Sequence, residues 1–317
     1  MMSHWSELKE SGTVKGLLLL FWLHRYLGRA FFNIVLYPVT AYYFLTNSVA
    51  RRSSIEFLLQ HAKHFPEQWS RTPNYLDVFK HLYCFGQCIL DKSLGWNDNI
   101  SEDQFCVKNR AVLDRFTNKK HGQLIIGSHF GNLEFCRGFV NRFRDIVINV
   151  LVYDLHSANF VTAMQKLNPR FSMKVYQVSD LDISLTLQLK AKVDSGEWLF
   201  IAGDRVPLSG DIRTVEVDFL GRKTKMPMGP YILAKVLQCE VHLMFSYRDG
   251  KSIKFDVIEF ADQVTITRGD GGASLHRYAQ AYALALQEQV KEAPLQWFNF
   301  YPYWPGELVE QGVDVRA

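Results

Sequence analysis

Residues 122–134 read GQLIIGSHFGNLE, and this stretch decides the fold. Its first half is a short apolar run, which predicts a buried β-strand over residues 122–129. His129 stands where the strand stops, and Gly131 permits a sharp turn or a close backbone approach. Asn132 can then cap a helix that follows. The stretch therefore predicts a strand, a turn and a helix, the unit from which parallel sheets are built.

The same alternation continues along the chain. Residues 51–118 have apolar positions three or four apart, which predicts a mainly helical region. Asp249 and Gly250 lie between two strand-like runs at residues 241–260, a strong hairpin signal. Strands are also predicted at 148–154, 172–178 and 197–204, and helices at 184–193 and 273–292. We therefore expect one α/β domain over residues 51–317, with a largely parallel central sheet flanked by helices.

Residues 1–50 have a different composition. Residues 17–23 and 30–50 are apolar and aromatic, and residues 1–52 contain six Lys or Arg against two Glu, which equals the whole net charge of +4. A cleaved signal peptide is disfavoured because the apolar stretches are doubled and no small-residue cleavage site follows. A spanning helix is long enough, but Pro38 would interrupt it, and arginines flank it on both sides. A simple core helix is a further alternative. We favour a basic, apolar helical segment that associates with the membrane by lying in its interface.

Composition also limits the function classes. The remainder of the chain has no second basic block, so nucleic acid is not an expected partner. An odd number of cysteines, five in 317 residues, is no disulfide framework and fits a reducing cytosol. His81, Cys84 and Cys88 could share one helix face, but leucines and phenylalanines throughout the same segment favour a packed helix. We expect no metal.

His129 and Glu134 suggest acid–base chemistry. They are five residues apart, so they would not share a face of one helix, but a turn could fold His129 over the first helical turn, where Glu134 lies. Imidazole, with an ordinary pKa of about 6.5, can take a proton from a hydroxyl near neutral pH. A carboxylate on its other nitrogen would fix the tautomer and stabilise the imidazolium. The alternative is that both residues only cap a helix.

Four blocks carry a family resemblance: His129-Phe-Gly-Asn-Leu-Glu134, FIAGDRVPLSG at 200–210, KMPMGPYILAKVLQCEVHLMF at 225–245 and PLQWFNFYPYW at 294–304. In their order and context, over roughly residues 14–304, the chain resembles the lysophospholipid-acyltransferase superfamily, and most closely its bacterial lipid A late acyltransferase branch. It differs from the glycerolipid branch in having Glu134 where that branch has Asp, and Gly-Asp-Arg where it has Glu-Gly-x-Arg.

The resemblance implies an acyltransferase that uses His129 and Glu134 as a general-base dyad. It implies no cofactor, with an acyl carrier protein or coenzyme A thioester as co-substrate and a lipid or glycolipid hydroxyl as acceptor. The implied location is the cytoplasmic face of a bacterial inner membrane, by peripheral contact or a single anchor. A hydrolase that uses water and a catalytically silent lipid-binding protein are the rival functions.

Other residues are expected to contact substrate. The resemblance places Asp204 and Arg205 at a second site. The planar fork of Arg205 suits phosphate, although an ion pair with Asp204 or Asp211 is the alternative. We expect backbone amides near Gly131 and Asn132, or those of the second-site loop, to lie near an oxyanion, and Gly229 to let amides at a helix start approach a phosphate or a thioester oxygen. Arg137 is a further anion candidate. The basic residues Arg222, Lys223 and Lys225 could contact the same anion as Arg205, but a solvated hairpin face is expected for most of them.

Overall fold

The structure is a computed structural model that describes residues 14–95, 102–118, 121–132, 135, 146–152, 174–178, 182–206, 213–267 and 269–304. Within these ranges, side chains are described for all but residues 14–21, 23–25, 92–95 and 102. The helices are α1 (Val14–Thr46), α2 (Ser48–His64), α3 (Tyr75–Gly95), α4 (Arg110–Asn118), α5 (Ile183–Asp194), α6 (Gly229–Leu237) and α7 (Ala273–Glu292). The strands are β1 (Phe105–Val107), β2 (Leu124–Gly127), β3 (Ile148–Val152), β4 (Lys174–Gln177), β5 (Trp198–Ala202), β6 (Thr214–Phe219), β7 (Arg222–Pro227), β8 (Val241–Asp249) and β9 (Ser252–Ala261).

Seven strands form one sheet in the order β1-β9-β8-β2-β5-β3-β4. All neighbours are parallel except β8 and β9, which form the antiparallel hairpin that Asp249 and Gly250 predict. The largely parallel α/β sheet is therefore confirmed. Strand β1 lies in a region that the sequence predicts as helical, because three residues are too short a run to show a strand period. Strands β6 and β7 form a separate antiparallel pair.

Strand β2 runs through the middle of the core, with all four residues buried. Leu124 and Ile126 join the larger apolar cluster on one face of the sheet, whereas Ile125 packs on the other face with residues of α4 such as Phe116. Successive strand side chains point to opposite faces, so a strand covered on both sides has no polar alternation. This explains why the run LIIG is continuously apolar.

Helix α1 bends at Gly28, whose backbone is not helical (φ 76°, ψ 175°). The helix continues through Pro38, which has no N–H and so removes one hydrogen bond from the helix without ending it. A left-handed φ such as that of Gly28 carries little steric cost for a residue without a Cβ. Among the described residues, no helix combines the length and the apolar character needed to cross a membrane.

Helix α1 packs closely against α3. Phe32 and Leu36 are buried, and the side chain of Leu36 lies directly over Gly86, where a Cβ would come within 2.6 Å of it. The hydroxyl of Tyr83 also donates to the backbone carbonyl of Asn33 at 3.1 Å. Much of the remaining surface of α1 is exposed and apolar, and we call these exposed residues the apolar face of α1: Trp22, Tyr26, Leu27, Phe31, Ile34, Tyr37, Tyr42 and Leu45.

Candidate active site

The strand register brings the loop that follows β2 and the loop that follows β5 together. Strands β2 and β5 are parallel neighbours, and their last paired residues are Gly127 and Ala202. His129 and Asp204 each lie two residues beyond that pair, so both stand at the same edge of the sheet. The amide of Gly203 also donates to the carbonyl of Gly127 at 2.9 Å, which continues the pairing past the strand ends. Such edges, at the carboxyl ends of parallel strands, are where α/β folds place their sites.

Asp204 binds both the backbone and the ring of His129. Its Oδ1 lies 2.8 Å from Nδ1 of His129, and its Oδ2 accepts from the His129 amide at 2.9 Å. Burial alone raises the pKa of the Asp204 carboxyl, but the His129 ring, their hydrogen bonds and the charge of Arg205 outweigh it, so the pKa lies below its usual value. Asp204 is therefore a buried carboxylate held by donors on both oxygens.

This contact decides the tautomer of His129. A carboxylate only accepts hydrogen bonds, so Nδ1 carries the hydrogen and donates it to Asp204. In the neutral ring the lone pair is then on Nε2, which is the nitrogen that can take a proton. The side chain of His129 is 36% exposed, whereas that of Asp204 is 1% exposed. The pair consequently has a buried carboxylate behind a histidine that reaches the surface.

Gly131 makes the closest backbone approach in the site. Its φ is +60°, and a Cβ at this position would lie 1.8 Å from the carbonyl oxygen of Ser246. Only glycine fits such an approach without moving β8. Of the sharp turn or close backbone approach that the sequence allows at Gly131, the structure has the close approach.

The amides of this loop already have acceptors. His129 donates to Asp204, Phe130 to Ser128 Oγ at 3.2 Å, Gly131 to the carbonyl of Gln296 at 2.7 Å and Asn132 to that of Ser246 at 2.9 Å. The expected oxyanion role for the amides near Gly131 does not fit this arrangement, since none of the four donates outward.

Residues 294–304, the C-terminal segment, run along the His129 loop. Phe298 donates from its amide to the carbonyl of His129 at 2.9 Å, and Phe130 and Trp297 form an antiparallel bridge. Arg205 binds the same segment through Nη2, which donates to the carbonyl of Phe298 at 2.7 Å. Its guanidinium also lies 5.5 Å from the ring centre of Tyr301. The segment thus ties together the loops that follow β2 and β5.

Trp297 is the buried centre of this segment. Its Nε1 donates to Oδ2 of Asp204 at 3.1 Å, and its carbonyl oxygen lies 3.0 Å from Nε2 of His81. Burial lowers the pKa of His81 to about 4, although its bond to Trp297 opposes the shift. His81 is therefore neutral, with Nε2–H donating to Trp297 and Nδ1 accepting from the Ser54 hydroxyl at 2.8 Å. Helices α2 and α3 in this way fix the residue that binds Asp204.

The comparison with protein families gives a match that spans His129, Asp204 and Trp297. The family model described as bacterial lipid A biosynthesis acyltransferase matches residues 90–305, about two thirds of the chain, and the match includes both loops and the C-terminal segment. The chain belongs to this acyltransferase family. No curated protein gives a significant match.

The other predicted site residues of the acyltransferase lie in different parts of the chain's structure, or outside the described residues. Glu134 and Arg137 lie outside the described residues, so their predicted roles stay predictions. Asn132 is buried, and its carbonyl accepts from the Phe135 amide at 3.1 Å. Gly229 begins α6, as predicted, without a side-chain cap.

The three basic residues Arg222, Lys223 and Lys225 lie on β7, in the hairpin that β6 and β7 form. Arg222 binds Glu56 at 2.9 Å and Lys223 binds Glu216 at 2.8 Å. The Lys223–Glu216 pair lies on the exposed hairpin, as the sequence predicts for most of these residues, whereas Arg222 reaches Glu56 of α2. Their contacts are with protein carboxylates, and Lys225 lies exposed on the same strand.

Sequence reasoning did not find Asp204 as the partner of His129, nor Trp297 or His81 as its support. The sequence predicts a substrate contact for Asp204, but its oxygens accept from His129 and Trp297 inside the protein. The sequence contains a signal for the pairing of Asp204 with His129. Both residues follow predicted strands, and the loops after parallel strands lie at one edge of the sheet. The order of the strands, which the sequence does not state, makes the two loops neighbours.

Proposed function

We propose that the protein transfers a fatty acyl chain from an acyl thioester to a hydroxyl of a lipid or glycolipid acceptor, with His129 as general base. The donor is acyl carrier protein or coenzyme A. The observation that carries the proposal is the bond from His129 Nδ1 to Asp204, which directs the basic Nε2 away from the buried carboxylate. Membership of an acyltransferase family supports the reaction class.

The proposed reaction needs no nucleophile from the protein. The acceptor hydroxyl gives its proton to His129 Nε2 while its oxygen attacks the thioester carbonyl carbon. The tetrahedral intermediate collapses with cleavage of the carbon–sulfur bond, and the thiolate takes the proton back from His129. Asp204 holds the ring and stabilises the imidazolium between these steps. Donors other than the amides of residues 129–132 stabilise the oxyanion.

Glu134 enters the proposal as a second carboxylate. The predicted His129–Glu134 dyad is kept as a hypothesis beside the His129–Asp204 contact. The substrate contacts predicted for Arg137, Arg205 and Gly229 are likewise proposals. For Arg205, the bond to Phe298 uses part of its donor set, and a guanidinium with five N–H groups can also bind an anion.

We also propose that the enzyme acts at the cytoplasmic face of a bacterial inner membrane, with α1 in the interface. The apolar face of α1 supports this, because large contiguous apolar surfaces are uncommon on soluble monomers. The basic residues of 1–52 suit anionic lipid headgroups. The acyl carrier or coenzyme A would approach from the aqueous side.

The experiment compares the lipids of cells that express the wild-type protein or His129→Ala, by mass spectrometry. An acceptor that carries one more acyl group only with the wild type would support transfer and identify the acceptor. Purified protein with a labelled acyl thioester and this acceptor then separates transfer from hydrolysis. Release of free fatty acid without an acylated product would favour the hydrolase, and no consumption of donor would favour the silent lipid-binding protein.

A further inference from the structure

Asp91 on α3 is a buried carboxylate that binds two arginines from different parts of the fold. Arg29 of α1 donates through Nη1 to Oδ1 at 2.6 Å and through Nη2 to Oδ2 at 3.3 Å. Arg248 of β8 donates through Nε to Oδ2 at 2.6 Å. One carboxylate neutralises only one guanidinium, so the cluster keeps one positive charge. The side chain of Asp91 is 4% exposed, whereas those of Arg29 and Arg248 are 33% and 24% exposed.

Arg248 has N–H donors beyond the one that binds Asp91. A guanidinium has five N–H groups, and Arg248 uses one of them on Asp91. Within the described part of the chain, its Nη1 and Nη2 groups form no hydrogen bond. The next carboxylate along the strand, Asp249, lies 3.7 Å from Lys254 and so has its own cation. The Nη groups of Arg248 are therefore the available part of the cluster.

The surroundings hold Arg248 in place. Its amide donates to Gln296 Oε1 at 3.1 Å and its carbonyl accepts from Gln296 Nε2 at 2.7 Å. Its guanidinium lies 5.3 Å from the ring centre of Phe135, a cation–π distance. With Asp91 on Nε as well, the planar fork is fixed before any ligand arrives. Fixed arginine forks suit the oxygens of phosphate.

The cluster lies beside the candidate active site. Ser246 of β8 accepts from the amide of Asn132 at 2.9 Å. Arg248 follows two residues later on the same face of the strand, roughly 7 Å farther along at about 3.4 Å per residue. Arg29 reaches the cluster from α1, where Leu27 and Phe31, two residues before and two residues after it in the sequence, are exposed.

We propose that Arg248 and Arg29, oriented by Asp91, bind the phosphate group of a lipid whose hydrocarbon part lies along the apolar face of α1. A cationic cluster next to the catalytic loop and the exposed apolar residues of α1 together suit a ligand that has both a phosphate group and a hydrocarbon part. That this lipid is also a substrate rests on the proposed function. The binding itself does not, so the two can fail separately.

The test measures binding of the full chain to phosphatidylcholine vesicles with and without phosphatidic acid, whose headgroup is a phosphate monoester. We expect the phosphatidic acid to strengthen binding of the wild type, and Arg248→Gln to weaken binding to these vesicles about tenfold, since charge-assisted bonds are lost. Asp91 keeps Arg29 in that variant, so no buried carboxylate is left alone. Arg115→Gln is the matched control, because Arg115 also binds a carboxylate, Glu259, at 3.0 and 3.1 Å.

Two more variants and a soluble ligand complete the test. Arg248→Lys, which keeps the charge but not the fork, should bind between the wild type and Arg248→Gln, and it replaces that variant if Gln prevents folding. His129→Ala should bind as the wild type does, since binding is independent of turnover. Equal losses in the Arg248 and Arg115 variants would overturn the site. Dependence on Arg248 for free phosphopantetheine, but not for phosphatidic acid, would overturn the lipid assignment in favour of a soluble phosphate.

Discussion

The indole Nε1 of Trp297 donates a hydrogen bond to Oδ2 of Asp204 at 3.1 Å, and Asp204 in turn holds the ring of His129. Trp297 is fully buried and reaches this position from the C-terminal segment. Trp297, which is far from the catalytic loop in sequence, thereby affects how strongly the Asp204 carboxylate stabilises a positive charge on His129. The relationship makes the electrostatics of the proposed base dependent on the last described segment.

Trp297→Phe should change the pH dependence of transfer. The substitution keeps an aromatic ring but removes one donor from Asp204, whose charge then stabilises the imidazolium of His129 more strongly. The acid limb of the kcat/KM profile should move to higher pH. Trp304→Phe is the control, because Trp304 is also buried in this segment and its Nε1 has no partner among the described residues. The same shift in both variants would show only a general packing effect.

His129→Ala should abolish transfer and leave the fold intact. Loss of a general base costs about a hundredfold to ten-thousandfold in rate. His121→Ala is a suitable control, since His121 is an exposed histidine just before the same strand. Initial rates with labelled acyl donor, with circular dichroism for folding, are the measurements. Near-normal turnover by folded His129→Ala would remove the base from the mechanism.

Asp204→Asn and substitutions of Glu134 separate the two carboxylates. Asparagine at 204 can present an amide N–H to Nδ1 and so favour the wrong tautomer, which should cost more than a hundredfold in kcat. Glu134→Gln should impair transfer less than Glu134→Ala, because Gln keeps a hydrogen bond but not the charge. If both Glu134 variants turn over normally while Asp204→Asn is inactive, Glu134 has no part in the dyad.

Ile34→Ser with Leu45→Ser should weaken membrane binding. These side chains are 66% and 73% exposed, and their burial in lipid would contribute about 2 kcal/mol together, or roughly thirtyfold in vesicle partitioning. Ile183→Ser with Leu187→Ser is the matched control on α5, with exposures of 82% and 65%. High salt should release only part of the wild type and detergent all of it, because salt screens charge and not apolar contact. Equal binding of both double variants would place the membrane contact elsewhere.

Two buried histidines should make the fold less stable in mild acid. Burial lowers the pKa of His61 and His81 to about 4, against about 6.5 when unfolded. Their contribution is complete above pH 6.5 and is lost as the pH falls towards 4, at most about 3 kcal/mol each. Protonation would also break the bond from Trp69 Nε1 to His61 Nδ1.

Urea unfolding at several pH values measures this effect. The free energy of unfolding should fall between pH 6.5 and 4, and the fall should be smaller in His81→Gln, which lacks one of the two groups. His121→Gln, at an exposed position, should keep the wild-type slope. If the free energy of unfolding of His81→Gln depends on pH as that of the wild type does, protonation of His81 is not linked to unfolding.

The sequence predicts the central strands and the edge at which the site forms, because apolar runs and turn residues are local features. It does not predict that Asp204 faces His129, which depends on β5 lying beside β2. The sequence also does not predict the bend of α1 at Gly28. Trp297 has no local signal at all: its role depends on a contact with Asp204, 93 residues away.

The chain order of the C-terminal segment has a consequence for synthesis. Residues 294–304 follow every described strand, yet they bind the loops after both β2 and β5. A growing chain on the ribosome therefore exposes α1 long before Trp297 can reach Asp204. If α1 binds the membrane as proposed, the nascent protein reaches the membrane before the contact between Trp297 and Asp204 has formed. The protein then becomes active only after it has bound the membrane.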